Sequence, residues 1–220
     1  MTSKTADHGI AITVLGTVCL VIVVLISSME LLCFKGTGWY EKEYEKYSVL
    51  EDVRGAELTM DEALAVTENL QNYLTGSEPE LCDFFSEREV SHLADCRDLF
   101  GMALLVRNIA LVVLVTSLLW LICKKAFRPR VYWLTLAAIV AVALAAAAVC
   151  GADFINLFAK FHYLVFDNDL WLLDPRHDNL INLLPIGFFR DTVKMCVGIG
   201  GVVLVAVGLC GFSVTKRNIL

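Results

Sequence analysis

The chain has 220 residues, of which 57% are hydrophobic and 19% charged, with a formal net charge of −6. Its apolar residues are collected into blocks, which excludes an ordinary soluble domain, since a bilayer-spanning helix needs roughly 20 of them in a row. The acidic balance argues against nucleic-acid binding and against a surface built to dock on anionic phospholipid.

Four blocks reach spanning length: residues 10–33, 102–123, 131–150 and 197–214. The first is expected to remain as an anchor. Its apolar run exceeds the about 7 to 15 residues of a cleaved signal, and no small-x-small cleavage site follows it. Lys4, the run Lys124-Lys125-Ala126-Phe127-Arg128-Pro129-Arg130 and Lys216-Arg217 place one set of helix ends in the cytoplasm by the positive-inside rule. Both termini are then inside, and two connections, 34–101 and 151–196, are outside. The expected fold class is therefore an all-α membrane protein, a single integral domain with four transmembrane helices and a helical extracellular cap. The first connection holds sixteen Asp or Glu against six Lys or Arg, so the negative charge is concentrated there as a solvated surface.

Within that connection, Thr59-Met60-Asp61-Glu62 fits a capping box, and Leu64, Leu70, Tyr73 and Leu74 repeat at helical spacing up to Gly76. A second box, Ser86-Glu87-Arg88-Glu89, starts another helix. Because no Pro or turn cluster follows it, that helix is expected to run unbroken into the second span. His92, Asp95, Cys96 and Leu99 share one face of it. Arg107, about a turn and a half inside the span, needs a partner such as Glu30 or Asp153.

Of eight cysteines, Cys19, Cys33, Cys123, Cys150, Cys196 and Cys210 lie in or at the ends of spans and read as small packing residues. Cys82 and Cys96 fall in the first outer connection, where a disulfide between them is compatible with an oxidising compartment. The absence of CxxC spacing argues against a zinc ribbon or a thioredoxin-type site.

After the third span, Phe154, Phe158, Phe161, His162 and Val165 fall on one helical face, and an aromatic and acidic run follows through Phe166-Asp167-Asn168-Asp169-Leu170-Trp171. Two imidazoles on different helices, His92 and His162, are thus expected at similar depth on one side of the membrane. From the residues alone they are either a catalytic pair or satisfied interfacial side chains, with Trp171, Phe188 and Phe189 as an aromatic belt. Two other classes stay open. A zinc-dependent membrane hydrolase would use His92, Asp95, His162 and His177, without any compact ligand motif behind it. A non-catalytic four-span scaffold would leave the outer histidines apart or freely exposed.

His92-Leu93-Ala94-Asp95, then Phe161-His162 through Trp171, and then Asp178, Leu180-Ile181, Pro185 and Phe188-Phe189 resemble the bacterial lipoprotein intramolecular transacylase (Lit) family. So does the Tyr- and Glu-rich stretch Tyr40–Tyr47 after the first span. The resemblance runs from about Tyr40 to Asp191, with Leu93 where Met is commoner and Cys96 where Val is usual. It implies a plasma-membrane enzyme with its active site at the outer face. Its partners are membrane lipid and the diacylglyceryl-modified N-termini of lipoproteins, and neither a cofactor nor a metal is called for. The sn-2 acyl chain of such a lipoprotein would move to the free α-amine of its own N-terminal cysteine, leaving an N-acyl lyso-lipoprotein. His92 and His162 match the family's two catalytic histidines. Beside them, Asp95, Asp167, Asp169 and Asp178 are candidates for orienting an imidazole and Asn168 for donating to an oxyanion. Phe161, Phe166, Trp171, Phe188 and Phe189, with Arg107, are candidates for the substrate pocket.

Overall fold

The computed structural model describes residues 3–52, 58–149 and 153–217, and among these every regular element is an α-helix. In chain order they are α1 (Ser3–Phe34), α2 (Gly38–Lys46), α3 (Val49–Asp52), α4 (Met60–Thr75) and α5 (Glu87–Cys123), then α6 (Pro129–Val149), α7 (Phe154–Val165), α8 (Leu180–Leu183) and α9 (Ile186–Arg217). The chain divides into two compact units: residues 1–28, 104–152 and 196–220 form the first, and 29–103 with 153–195 the second.

The first unit is apolar and exposes its apolar side chains. Ile109, Val112 and Ile122 of α5 are 57%, 64% and 71% exposed, and Val202 of α9 is 72% exposed, a surface that water penalises and lipid does not. Three helices, over Asp7–Phe34, Glu87–Cys123 and Ile186–Gly211, are long and apolar enough to cross a membrane. Within the second of these the apolar run begins at Met102, so the turns carrying His92 precede it. The expected fourth span is α6, Pro129–Val149, an apolar helix over its described length Pro129–Ala145. Cys150, its expected last residue, lies outside the described residues.

Small residues allow close approach inside this unit. A Cβ on Gly208 would meet the ring of Trp133 and lie 2.7 Å from Tyr132 Cε1, and one on Gly9 would lie 2.8 Å from the Ala126 carbonyl oxygen. Polar side chains are satisfied by backbone, as an apolar medium demands. Thr13 and Thr17 donate to the carbonyls four residues earlier, both at 2.7 Å, and Tyr132 donates to the Leu204 carbonyl at 2.6 Å.

The second unit has a water-type core of Tyr40, Tyr44, Val49, Leu70, Phe85, Leu93, Leu183 and Phe188. The ends of α4 and the start of α5 fall where the sequence indicates. The Thr59 hydroxyl accepts from the Glu62 amide while the Glu62 carboxylate accepts from the Thr59 amide, and Gly76 closes α4 in the left-handed region at φ 79°. At the head of α5, the Ser86 amide donates to Glu89 Oε2 at 2.6 Å and the Glu89 amide to Ser86 Oγ at 3.3 Å. The other carboxylate oxygen of the fully buried Glu89 accepts from the Leu180 amide, which fixes α8 against α5. α5 then runs unbroken from Glu87 to Cys123.

The Tyr- and Glu-rich stretch forms α2. Tyr44 donates to Thr67 Oγ1 at 2.7 Å, and Thr67 in turn donates to the Ala63 carbonyl at 2.8 Å. Asp191 of α9 is a buried carboxylate that accepts from Lys46, Tyr47 and Lys194, with Arg190 at 3.4 Å. Those cations and the phenol hold its carboxyl well below the ordinary carboxylate range.

Candidate active site

His92 and His162 both lie in the second unit, on α5 and α7, with ring centroids 6.1 Å apart. Both are buried, at 6% and 8% exposure. α7 begins with Asp153 capping the Ile155 amide at 3.1 Å and ends at Val165, which leaves His162 in its last turn. There the imidazole meets Phe158 at 4.1 Å, Trp171 at 4.9 Å, Phe161 at 5.4 Å and Phe166 at 5.5 Å, centroid to centroid. Phe166 also stands 5.2 Å from His92 and so joins the two imidazoles through one apolar ring.

The ring nitrogens are not equivalent. His162 Nδ1 is 2.7 Å from the Phe158 carbonyl oxygen. A carbonyl only accepts, so Nδ1 carries the proton and the neutral ring keeps its lone pair on Nε2. His92 Nε2 faces the Cys96 sulfur at 3.5 Å, and its buried Nδ1 has no hydrogen-bond partner. Burial pushes both imidazoles down from the usual value. For His162 the Phe158 bond partly offsets the shift, while His92, pushed down first by burial and then by the His162 ring opposing a second positive charge, falls to about 4, with Asp95 pulling the other way. Both rings are neutral at neutral pH.

The orienting carboxylates are elsewhere than on the imidazoles. Asp95 Oδ2 accepts from Asn168 Nδ2 at 2.9 Å, and Asn168 Oδ1 accepts from the Leu170 amide at 3.0 Å. Asn168 is thereby held at both ends of its amide, with one of its two N–H groups given to Asp95. Asp178 is buried and accepts from Ser86 Oγ at 3.3 Å and from the Asp174 amide at 2.7 Å, a structural anchor for the connection before α8. Asp169 offers its backbone carbonyl to Arg88 Nη2 at 2.6 Å. Asp167 is exposed and, with Asp95, Asp98, Leu99, Met102 and Phe166, lines an open cavity of about 280 Å³.

Of the aromatic candidates, Phe161, Phe166 and Trp171 touch His162 directly, whereas Phe188 is 2% exposed and packs on Tyr40 at 4.9 Å in the core. Phe189 reaches the site through Phe158, at 5.2 Å. Arg107 is half-buried and belongs to the first unit. Cys82 and Cys96 are both free thiols, so the contemplated disulfide is not formed. Burial and Asp95 push the Cys96 thiol up to about 12. His177 is exposed and faces Asp174 at 3.4 Å, away from any shared ligand set. Among the described residues, no group of three or more His, Cys, Asp or Glu is arranged to hold a metal ion. The Phe158 carbonyl was not among the residues singled out in the sequence, and a backbone acceptor leaves no signal there.

No curated protein sequence matches the chain. Among solved structures, the membrane-integral lipoprotein intramolecular transacylase Lit from Bacillus cereus matches with TM-score 0.77 at 19% identity, covering 97% of this chain and 99% of that one. Two structures of the same Bacillus cereus protein with one histidine replaced, by arginine or by alanine, match with TM-scores of 0.78 and 0.76 at 17% and 18% identity. They cover 96% of this chain and 95% and 93% of theirs. These likenesses carry the fold. The family model for lipoprotein intramolecular transacylase Lit matches residues 14–189, and the chain belongs to that family.

Proposed function

We propose that this chain carries out its family's intramolecular acyl transfer with His162 as the base and His92 as the acid. The observation that carries the assignment is the bond from His162 Nδ1 to the Phe158 carbonyl, which leaves Nε2 as the acceptor of a proton. The substrate is a lipoprotein whose N-terminal cysteine bears a diacylglyceryl thioether and a free α-amine. In its neutral form the amine nitrogen attacks the sn-2 ester carbonyl. Its surplus proton passes to His162 Nε2 and on to His92, and the His92 imidazolium so formed delivers that same proton to the departing glyceryl oxygen as the C–O bond breaks, which leaves both rings neutral again. An ester and an amine become an amide and an alcohol, with no net proton change.

Electrostatics support this division. An α-amine titrates near 7.7 to 8.0, so a neutral imidazole meets a group that is close to losing its proton. A proton already resident on His92 would oppose the arrival of a second on His162, which is 6.1 Å away. The low value of about 4 at His92 keeps it vacant and makes its imidazolium a strong acid once formed. Asp95, Asp98 and Asp167 give the adjoining cavity the sign that attracts an ammonium. The protein's largest contribution is conformational. Amine and ester belong to one molecule, and holding them in the cyclic approach geometry is worth about 7 to 11 kcal/mol in well-oriented intramolecular reactions. The apolar walls of Phe161, Phe166 and Trp171 keep out the water that would hydrolyse the ester.

In this reading α6 is a fourth span, both termini are cytoplasmic, and the second unit lies at the outer face of a bacterial plasma membrane, as the Lys and Arg distribution supports. Purified protein and a synthetic diacylglyceryl lipopeptide test the assignment. His162→Ala should abolish N-acyl product while leaving lipopeptide binding intact.

A further inference from the structure

Trp171 carries a buried side-chain donor, the indole Nε1–H, that has no hydrogen-bond partner. The loop from Phe166 to Leu173 is held by its own hydrogen bonds: the Leu170 amide donates to Asn168 at 3.0 Å, the Leu172 amide to the Asp169 carbonyl at 3.2 Å, and the Leu173 amide to the Trp171 carbonyl at 2.9 Å. Arg88 braces it from α5 through the Asp169 and Leu170 carbonyls, at 2.6 and 3.4 Å. Against that background the indole Nε1 is buried and without a hydrogen-bond partner. Buried donors are almost always paired, and one left unpaired in a braced loop marks a position held for something else. Its setting says for what. The indole stacks on His162 at 4.9 Å with 34° between the planes, and the second orphaned polar atom of this cluster is His92 Nδ1.

We propose that the Trp171 indole N–H is the oxyanion donor of the acyl transfer, a catalytic residue beyond the two histidines. The inference rests on the assignment of His162 as the base. When the amine nitrogen bonds to the sn-2 carbonyl carbon, the carbonyl π pair moves onto oxygen, and Nε1–H donates to that oxyanion. When the pair returns, the C–O bond to glycerol breaks and the glyceryl oxygen takes the proton from the imidazolium side. Indole is suited to the task because it is a donor only and stays uncharged throughout. A donor shut off from bulk water and fixed before the reaction is the arrangement that stabilises developing charge best. Asn168, the amide side chain of the loop, gives one N–H to Asp95 and is exposed to water, which competes for the other. Tyr163, edge-on to the indole at 4.8 Å and 65% exposed, is the neighbour free to move aside as substrate enters.

The test removes the N–H without removing the ring. Trp171→Phe and the replacement of Trp171 by benzothienylalanine, which puts sulfur in place of the indole nitrogen, are compared with wild type in single-turnover assays on the diacylglyceryl lipopeptide. Both should slow transfer by about 10²- to 10³-fold, the scale for one oxyanion donor, with lipopeptide affinity and the acid midpoint of the pH profile unchanged. A benzothienylalanine protein that keeps its rate within about threefold of wild type overturns the proposal, because shape alone would then suffice. A slow protein whose acid midpoint has moved overturns it too, since the ring would then be acting through His162. His162→Ala is run alongside. If that variant retains transfer, the base assignment fails, while a loss confined to it leaves the base assignment standing and rejects the indole.

Discussion

Phe166 is the ring that keeps both imidazoles dry, and Phe166→Ala is the perturbation that reads its effect. It is 9% exposed and stands 5.2 Å from His92 and 5.5 Å from His162. Burial is the first cause of the low His92 value, about 4 against an ordinary 6.5. At pH 6 an imidazole titrating at about 4 is about 1% protonated, whereas one at about 6.5 is about three-quarters protonated. If water admitted by the alanine restores the ordinary value, the neutral fraction at pH 6 falls about fourfold, and at pH 8 it does not change. The variant should therefore lose about fourfold more single-turnover rate at pH 6 than at pH 8, on top of any pH-independent loss from the missing wall. NMR titration of ¹³C,¹⁵N-histidine-labelled protein checks the cause directly. The His92 midpoint should rise toward 6.5 in the variant. A wild-type protein whose His92 already titrates near 6.5, or a variant whose rate loss is equal at pH 6 and pH 8, would refute the reasoning.

Other substitutions separate roles at the site from roles in the scaffold. His92→Ala and His162→Ala should each reduce turnover by about 10²-fold or more with the protein still inserted, while His8→Ala and His177→Ala should change it little; product quantification by mass spectrometry checks this. Cys96→Ala should retain most activity and no hydroxylamine-sensitive acyl group should appear on the wild-type thiol, because a thiol pushed up to about 12 is almost entirely protonated at neutral pH. A trapped thioester would reverse that judgement. Asp191→Asn should lower thermal stability measurably, by about 2 kcal/mol, since it leaves Lys46 and Lys194 around a neutral amide. The Asp191 carboxyl is depressed in the folded protein, so its contribution is present above the ordinary carboxylate pKa and is lost as pH falls below it; wild-type and variant stabilities should converge in acid.

Local chemistry made much of this legible. The boxes at Thr59 and Ser86 hold as read because their partners are three residues away, and the unbroken α5 follows from a sequence without a breaker between Glu87 and Cys123. The approach of His92 and His162 was readable from the family motif but not from spacing, since they are seventy residues apart on separate helices. Partners that depend on tertiary packing were not readable. Asp95, a natural candidate for His92, turns to Asn168, and Phe188 is drawn into the core by Tyr40. α9 begins at Ile186, well before the apolar run from Val197, because hydropathy finds where a helix enters lipid and is blind to its polar first turns. Asp191 and Thr192 lie in those turns and are buried within the second unit.

The central claim is direct transfer within one substrate molecule, driven by the two imidazoles. Mass spectrometry of a lipopeptide isotopically labelled in its sn-2 chain, incubated with this protein and an excess of unlabelled lipopeptide of different peptide mass, tests it most directly. The account predicts that the label appears as an N-acyl group on its own peptide alone, and that His162→Ala abolishes it. Label on the second peptide, or released as free fatty acid at a comparable rate, would contradict the account.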